Sequence, residues 1–142
     1  MKVITNDPQL DDELQELYLE SKHWLSDIHF AEDEIRFLKR VINNYLIPGV
    51  ANNQLIEIDK FNRELDQQDA NILALKNKNT ELLKLIGILV NGTDKEIGIG
   101  LVEKFAGLET EMKTLFEAVK HIKRSLFLFT EGVMNAGCEI IE

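Results

Sequence analysis

Cysteine, proline and tryptophan are scarce in this chain of 142 residues: one Cys, two Pro and one Trp. A lone thiol, Cys138, cannot close an internal disulfide, so the fold must rest on its core, and the cysteine reads as a reduced bystander. With proline confined to Pro8 and Pro48, long uninterrupted helices are permitted over most of the length. Basic charge is also short, with 16 Lys and Arg against 25 Asp and Glu and a formal net charge of −9. Nucleic-acid binding draws on clustered cations to displace counterions, so this balance argues against such a partner. No apolar run reaches the length of a membrane span, the longest candidate, 82–90, being too short. The residues after Met1 turn acidic at Asp7 before the apolar core of a signal peptide could form. The expectation is a soluble cytoplasmic protein with no membrane partner.

What is present is a seven-residue hydrophobic repeat held through three stretches. The first runs Leu10, Leu14, Leu17, Ser21, Trp24, Ile28, Ala31, Ile35, Leu38, Ile42 and Tyr45. The second runs Ile58, Phe61, Leu65, Gln68, Ile72, Leu75, Asn79, Leu82, Ile86 and Leu89. The third is apolar throughout, from Leu101, Phe105, Leu108 and Met112 through Leu115, Val119, Ile122, Leu126 and Phe129 to Val133 and Ala136. An undistorted helix drifts by ~20° per heptad, so persistence of this kind calls for a left-handed supercoil.

Helix punctuation agrees. Asp7 before Pro8 is an N-cap followed by proline at the first helical position, and Asp11, Asp12 and Glu13 sit at the positive end of the helix dipole. Ile47-Pro48-Gly49 is the expected stop, since proline pushes its predecessor out of the helical region and glycine permits the turn. Asn91-Gly92 ends the second helix, Thr93 with Glu96 forms a capping box for the third, and Ala136-Gly137 closes it. The fold class that follows is all-α: an antiparallel, up-down-up three-helix bundle with coiled-coil-like heptad packing and long helices over about 8–47, 52–91 and 95–136, making one domain over 1–142.

Laying the helices antiparallel brings Asn79 level with Ser21 and Gln68 level with Ala31, so Ser21, Gln68 and Asn79 read as polar core residues that set register. Trp24 is expected to pack against Leu75 and Met112. Glu20 with His23, and Glu117 with His121, offer the carboxylate and histidine spacing of a metal-binding bundle. Both histidines fall on an outward heptad position, and their heights differ by about a dozen residues, or ~18 Å at the helical rise. No metal and no cofactor are therefore expected, and no paired carboxylates, Cys-His arrangement or phosphate-cradling loop marks an enzyme.

The run Lys120-His121-Ile122-Lys123-Arg124-Ser125 sets a solvated histidine among cations with a small residue four positions on. Over these six residues the chain loosely resembles histidine phosphotransfer domains, which implies His121 as phosphoryl acceptor. The sequence departs from that family where a leucine-lysine-glycine run would follow the histidine. Apolar residues outside the core stripe give a second candidate. Phe30 and Phe37 share one outward position a heptad apart, Val41 widens the same face, and Phe127 and Leu128 lie on the outside of the third helix. Leu46, Leu55 and Ile56 are expected to join them. Contiguous exposed apolar surface marks an interaction face, so the expected partner is a protein, either another chain or a second copy in a homo-oligomer.

The segment 24–38, with Trp24, Phe30, the Asp33-Glu34 pair and Phe37, resembles a group of small all-helical proteins common in Bacteroidota, uncharacterised as a family. The motif of this match consists of packing residues. It implies a stand-alone bundle with no assigned activity. By shape the chain is also similar to a spectrin-type repeat, with a tryptophan in the first of three helices, although these helices are long for one such unit.

Overall fold

The computed structural model describes residues 8–91 and 98–141, with side chains over 12–89 and 98–134. Asp7, the Thr93 and Glu96 pair and the Cys138 thiol lie outside the described residues. Helix α1 spans Pro8–Val41, α2 Leu55–Asn91 and α3 Ile99–Ile141. Among the described residues there is no strand, and the three helices pack against one another. By contact the chain divides into two compact units, each taking a segment of every helix: Met1–Phe30 with Ile72–Thr114, and Ala31–Asn71 with Leu115–Glu142.

The first unit buries Leu14, Trp24 and Ile28 from α1, Ile72, Leu75, Leu82 and Ile86 from α2, and Leu101, Leu108 and Met112 from α3. The Trp24 ring stacks on Phe105, with centroids 4.6 Å apart. The partner ring thus lies one heptad before the Met112 expected beside it. Two polar side chains, Ser21 and Asn79, are as deeply buried as the leucines. The second unit buries Ala31, Ile35, Leu38, Ile42 and Leu46 of α1 and the turn after it, with Ile58, Phe61 and Leu65 of α2 and Leu115, Val119, Ile122 and Leu126 of α3. Phe61 and Phe129 meet there at 5.7 Å between centroids, tilted by 58°. Such tilted pairs add to area burial by about 0.5–1.5 kcal/mol.

The end of α1 departs from the sequence expectation. The α-helix stops at Val41 and widens into a π turn, Ile42–Leu46, closed by the Ile47 N–H donating to the Ile42 carbonyl. Ile47 itself stays helical, with φ −53° and ψ −46°, although proline follows it. The reason lies upstream. A proline ring in a regular α-helix clashes with the carbonyl four residues earlier, here Asn44, and opening the preceding turn by one residue relieves that clash. Pro48 then continues a short 3-10 turn, Ile47–Gly49. No glycine among the described residues has a positive φ, and the two residues after this turn, Val50 and Ala51, are both extended.

The wide turn also changes which residue is buried. Tyr45, expected on the core stripe, is 76% exposed, and Leu46, expected outside it, is 3% exposed. One extra residue per turn advances the inward position by one.

A 3-10 turn, Asn52–Gln54, leads into α2. The Gln54 N–H donates to the Ala51 carbonyl (2.9 Å), while the Ala51 N–H donates to the Gln54 side chain (3.0 Å). This is the reciprocal logic of a capping box with a backbone carbonyl in place of the usual serine hydroxyl. At the start of α3 the Gly98 carbonyl accepts from Leu101 and Val102 (3.1 and 3.2 Å). At its far end the helix runs through Gly137 to Ile141, past the expected stop. Glycine inside a helix costs about 1 kcal/mol, and it ends one only when it takes up a left-handed conformation.

Leu46→Ala is expected to destabilise the protein by about 2–5 kcal/mol in denaturant unfolding, and Tyr45→Ala by no more than about 0.5 kcal/mol.

Candidate functional site

Four groups of residues stand apart from ordinary core and surface. In the first unit, the Asn79 Nδ2 donates to the backbone carbonyl of Ser21 at 2.8 Å, inside the core. The side chain therefore meets the Ser21 main chain and not its hydroxyl. Ser21 Oγ and Asn79 Oδ1 have no protein partner although both are buried. Leaving a buried polar atom unpaired costs about 1–3 kcal/mol, so this layer opposes the stability of the leucines around it. Gln68, grouped with these two from the sequence, belongs to the second unit. It is only half-buried, and its Oε1 accepts from Asn71 on the same helix at 3.2 Å.

The first unit also carries a groove of about 470 Å³ between α2 and α3, which the sequence reading did not find. Its floor is Leu82, Leu85 and Leu108, and its rim is Glu81 and Lys104 with the ion pair of Lys78 and Glu111, in which Lys78 Nζ reaches both carboxylate oxygens at 2.9 and 3.1 Å. Gly107 lines it, and a Cβ built there would meet nothing within 4 Å. A mid-helix glycine with open space above it is the sequence signal that could have pointed to this groove.

Exposed apolar residues occur in both units, Leu19, Leu73, Ile88, Ile99 and Val102 in the first and most of the candidate face in the second. Phe37, Phe127 and Leu128 are all exposed, with Val41 half-buried, and Tyr45, Ile47, Ile56 and Met134 in the same unit are exposed as well. Phe30, the remaining member of the candidate face, is 70% exposed in the first unit. Leu46 is withdrawn into the core by the π turn. Tyr45 and Met134 were missed because the heptad assigned Tyr45 inward and a single Met attracts no notice.

Charge in the second unit is organised by two cross-helix contacts. Lys39 of α1 reaches Asp66 Oδ1 at 2.8 Å and Asp69 Oδ2 at 2.6 Å on α2. Hydrogen bonds that Lys39 donates to Asp66, then to Asp69, hold its ammonium above the ordinary pKa, outweighing the opposing effect of burial. Two carboxylates three residues apart on one helix face make a fork for a single cation. Lys123 of α3 pairs with Glu34 of α1 at 3.3 Å and lies over the Phe127 ring, 6.0 Å from its centroid.

His23, His29 and His121 are all exposed. Among the described residues no three His, Cys, Asp or Glu side chains converge as a metal site. None of the helices, over the same residues, is long and apolar enough to cross a membrane. Comparison of the chain with protein-family models, curated proteins and solved structures finds no match.

Two measurements follow. Replacing the buried polar pair together, Ser21→Ala with Asn79→Leu, is expected to raise unfolding free energy by about 1–2 kcal/mol, because both unsatisfied atoms leave at once. The raised pKa of Lys39 means its contribution is complete below the ordinary lysine value of 10.5 and is lost as pH rises through the higher folded value. Wild type is therefore expected to lose stability over that alkaline window, and Lys39→Gln to lose less, in urea melts recorded at stepped pH.

Proposed function

We propose that this chain is a non-enzymatic, cytoplasmic helical-bundle protein that acts through protein contacts, self-association included, using apolar side chains presented by the second unit. The observation that carries this reading is the presence of Phe37, Phe127 and Leu128, all exposed, in the unit that buries Leu38, Leu65 and Leu126. Large aromatic and aliphatic side chains held in water gain about 1.5–3 kcal/mol each on full burial, and association is the remaining way to bury them.

The reading includes an arrangement in which α1, α2 and α3 run up, down and up with knobs-into-holes packing. Its support is the connection between α1 and α2, made only of single turns, together with buried positions that recur alternately three and four residues apart. The bundle is taken to form one domain and to resemble the small Bacteroidota helical proteins in this respect.

Light scattering over a concentration series tests the contact face. Wild type is expected to show a mass that rises with concentration, and Phe37→Asp and Phe127→Asp to hold the mass nearer that of a single chain, each with unchanged helical circular dichroism. An oligomer indifferent to both substitutions would remove the second unit as the contact surface.

A further inference from the structure

We infer that the partner is a second copy of this chain, docked through an antiparallel pairing of α3 with its own counterpart. The inference rests on the contact reading above and makes it specific.

Its basis is a symmetry in the exposed face of α3. Arg124, Phe127, Leu128 and Glu131 stand at i, i+3, i+4 and i+7, so they share one face, and all four are exposed, Phe127 by 44% and Leu128 by 64%. The order along the helix is cation, apolar, apolar, anion. Placing two such helices antiparallel, with a twofold axis between positions 127 and 128, sets Phe127 against Leu128 of the other copy and Arg124 against Glu131 of the other copy. By symmetry each pairing occurs twice. The same operation sets the exposed His121 against the exposed Met134 of the other copy, so no like charges oppose one another over this span.

A parallel alignment of the same faces stacks Arg124 on Arg124 and Glu131 on Glu131, two like-charge contacts separated by about 10 Å of helix. The charge pattern therefore selects one direction as well as one partner. A twofold contact of this kind is self-complementary and closes after two copies. Centred on two apolar side chains per chain, it falls below the roughly 1,200–2,000 Å² of a tight permanent interface, and a monomer–dimer equilibrium in the micromolar range is expected. Charged residues at the edges set the pairing, and juxtaposed like charges there oppose it strongly.

Charge reversal tests this, read by sedimentation equilibrium at low ionic strength with circular dichroism confirming the fold. Arg124→Glu alone sets two acids together twice, and Glu131→Arg alone sets two cations together twice. Each is expected to weaken dimerisation tenfold or more. Mixing the two single variants gives a heterodimer in which both contacts are again opposite in sign, and the double variant R124E/E131R restores them within a homodimer. Recovery in both cases is the expected result. A wild-type dimer unchanged by either single reversal, or one not recovered on mixing, overturns the pairing and leaves self-association by another route standing. A wild type that stays monomeric into the millimolar range overturns the pairing and self-association together, while Phe37 and Phe127 would still stand as a surface for a different protein.

Discussion

A helix that buries a residue every three and four positions can change its inward set only by changing its pitch. That constraint governs what the rest of this molecule can do. It keeps α1 in step through Leu14, Ser21, Trp24 and Ile28 in one unit and through Ile35, Leu38 and Ile42 in the other, polar residue included. It also leaves the outward positions to whatever the protein presents to its surroundings. Where pitch does change, at the π turn before Pro48, the inward role passes from Tyr45 to Leu46 within a single residue. The proline is thus felt upstream of itself, as a widened turn in which the tyrosine ring faces water.

The polar layer in the first unit shows the cost of obeying the same constraint. Ser21 and Asn79 occupy inward positions because the repeat places them there, and the one hydrogen bond they make satisfies only one of the polar atoms they bring inside. Leucines on either side stabilise the unit enough to tolerate them. The second unit shows no such layer among its described residues, and Lys39 with two aspartates and Lys123 with Glu34 link its helices at the edges. Exposed pairs of this kind are worth about 0–1 kcal/mol each, so they guide alignment more than they supply stability.

Much of this was legible in the sequence, for a reason that also explains the misses. Apolar periodicity reports which face turns inward, and Ile28, Leu65 and Leu126 are buried at the spacing the repeat gives them. Periodicity assumes constant pitch, so it misassigned Tyr45 and Leu46 and placed the helix end at Ile47. It carries no information on which atom of a polar side chain finds a partner, so the Asn79 bond to a carbonyl and the bond Gln68 accepts from Asn71 could not be read from it. Ring pairing depends on side-chain direction along the helix axis as well as on register, so the Trp24 contact with Phe105 does not follow from the repeat alone. Of the candidate site, exposure of the phenylalanines followed from their outward heptad positions, whereas the groove lined by Gly107 is a feature of shape that hydrophobic patterning does not register.

The stacking of Trp24 on Phe105 has a practical consequence. It is the chain's only tryptophan, and it belongs to the first unit. Red-edge fluorescence excitation therefore interrogates the neighbourhood of the Ser21 and Asn79 layer alone, whereas helical ellipticity sums over both units. Any unfolding in which emission shifts ahead of ellipticity is loss of the first unit while the second persists, so the molecule carries a built-in optical label for one of its two halves.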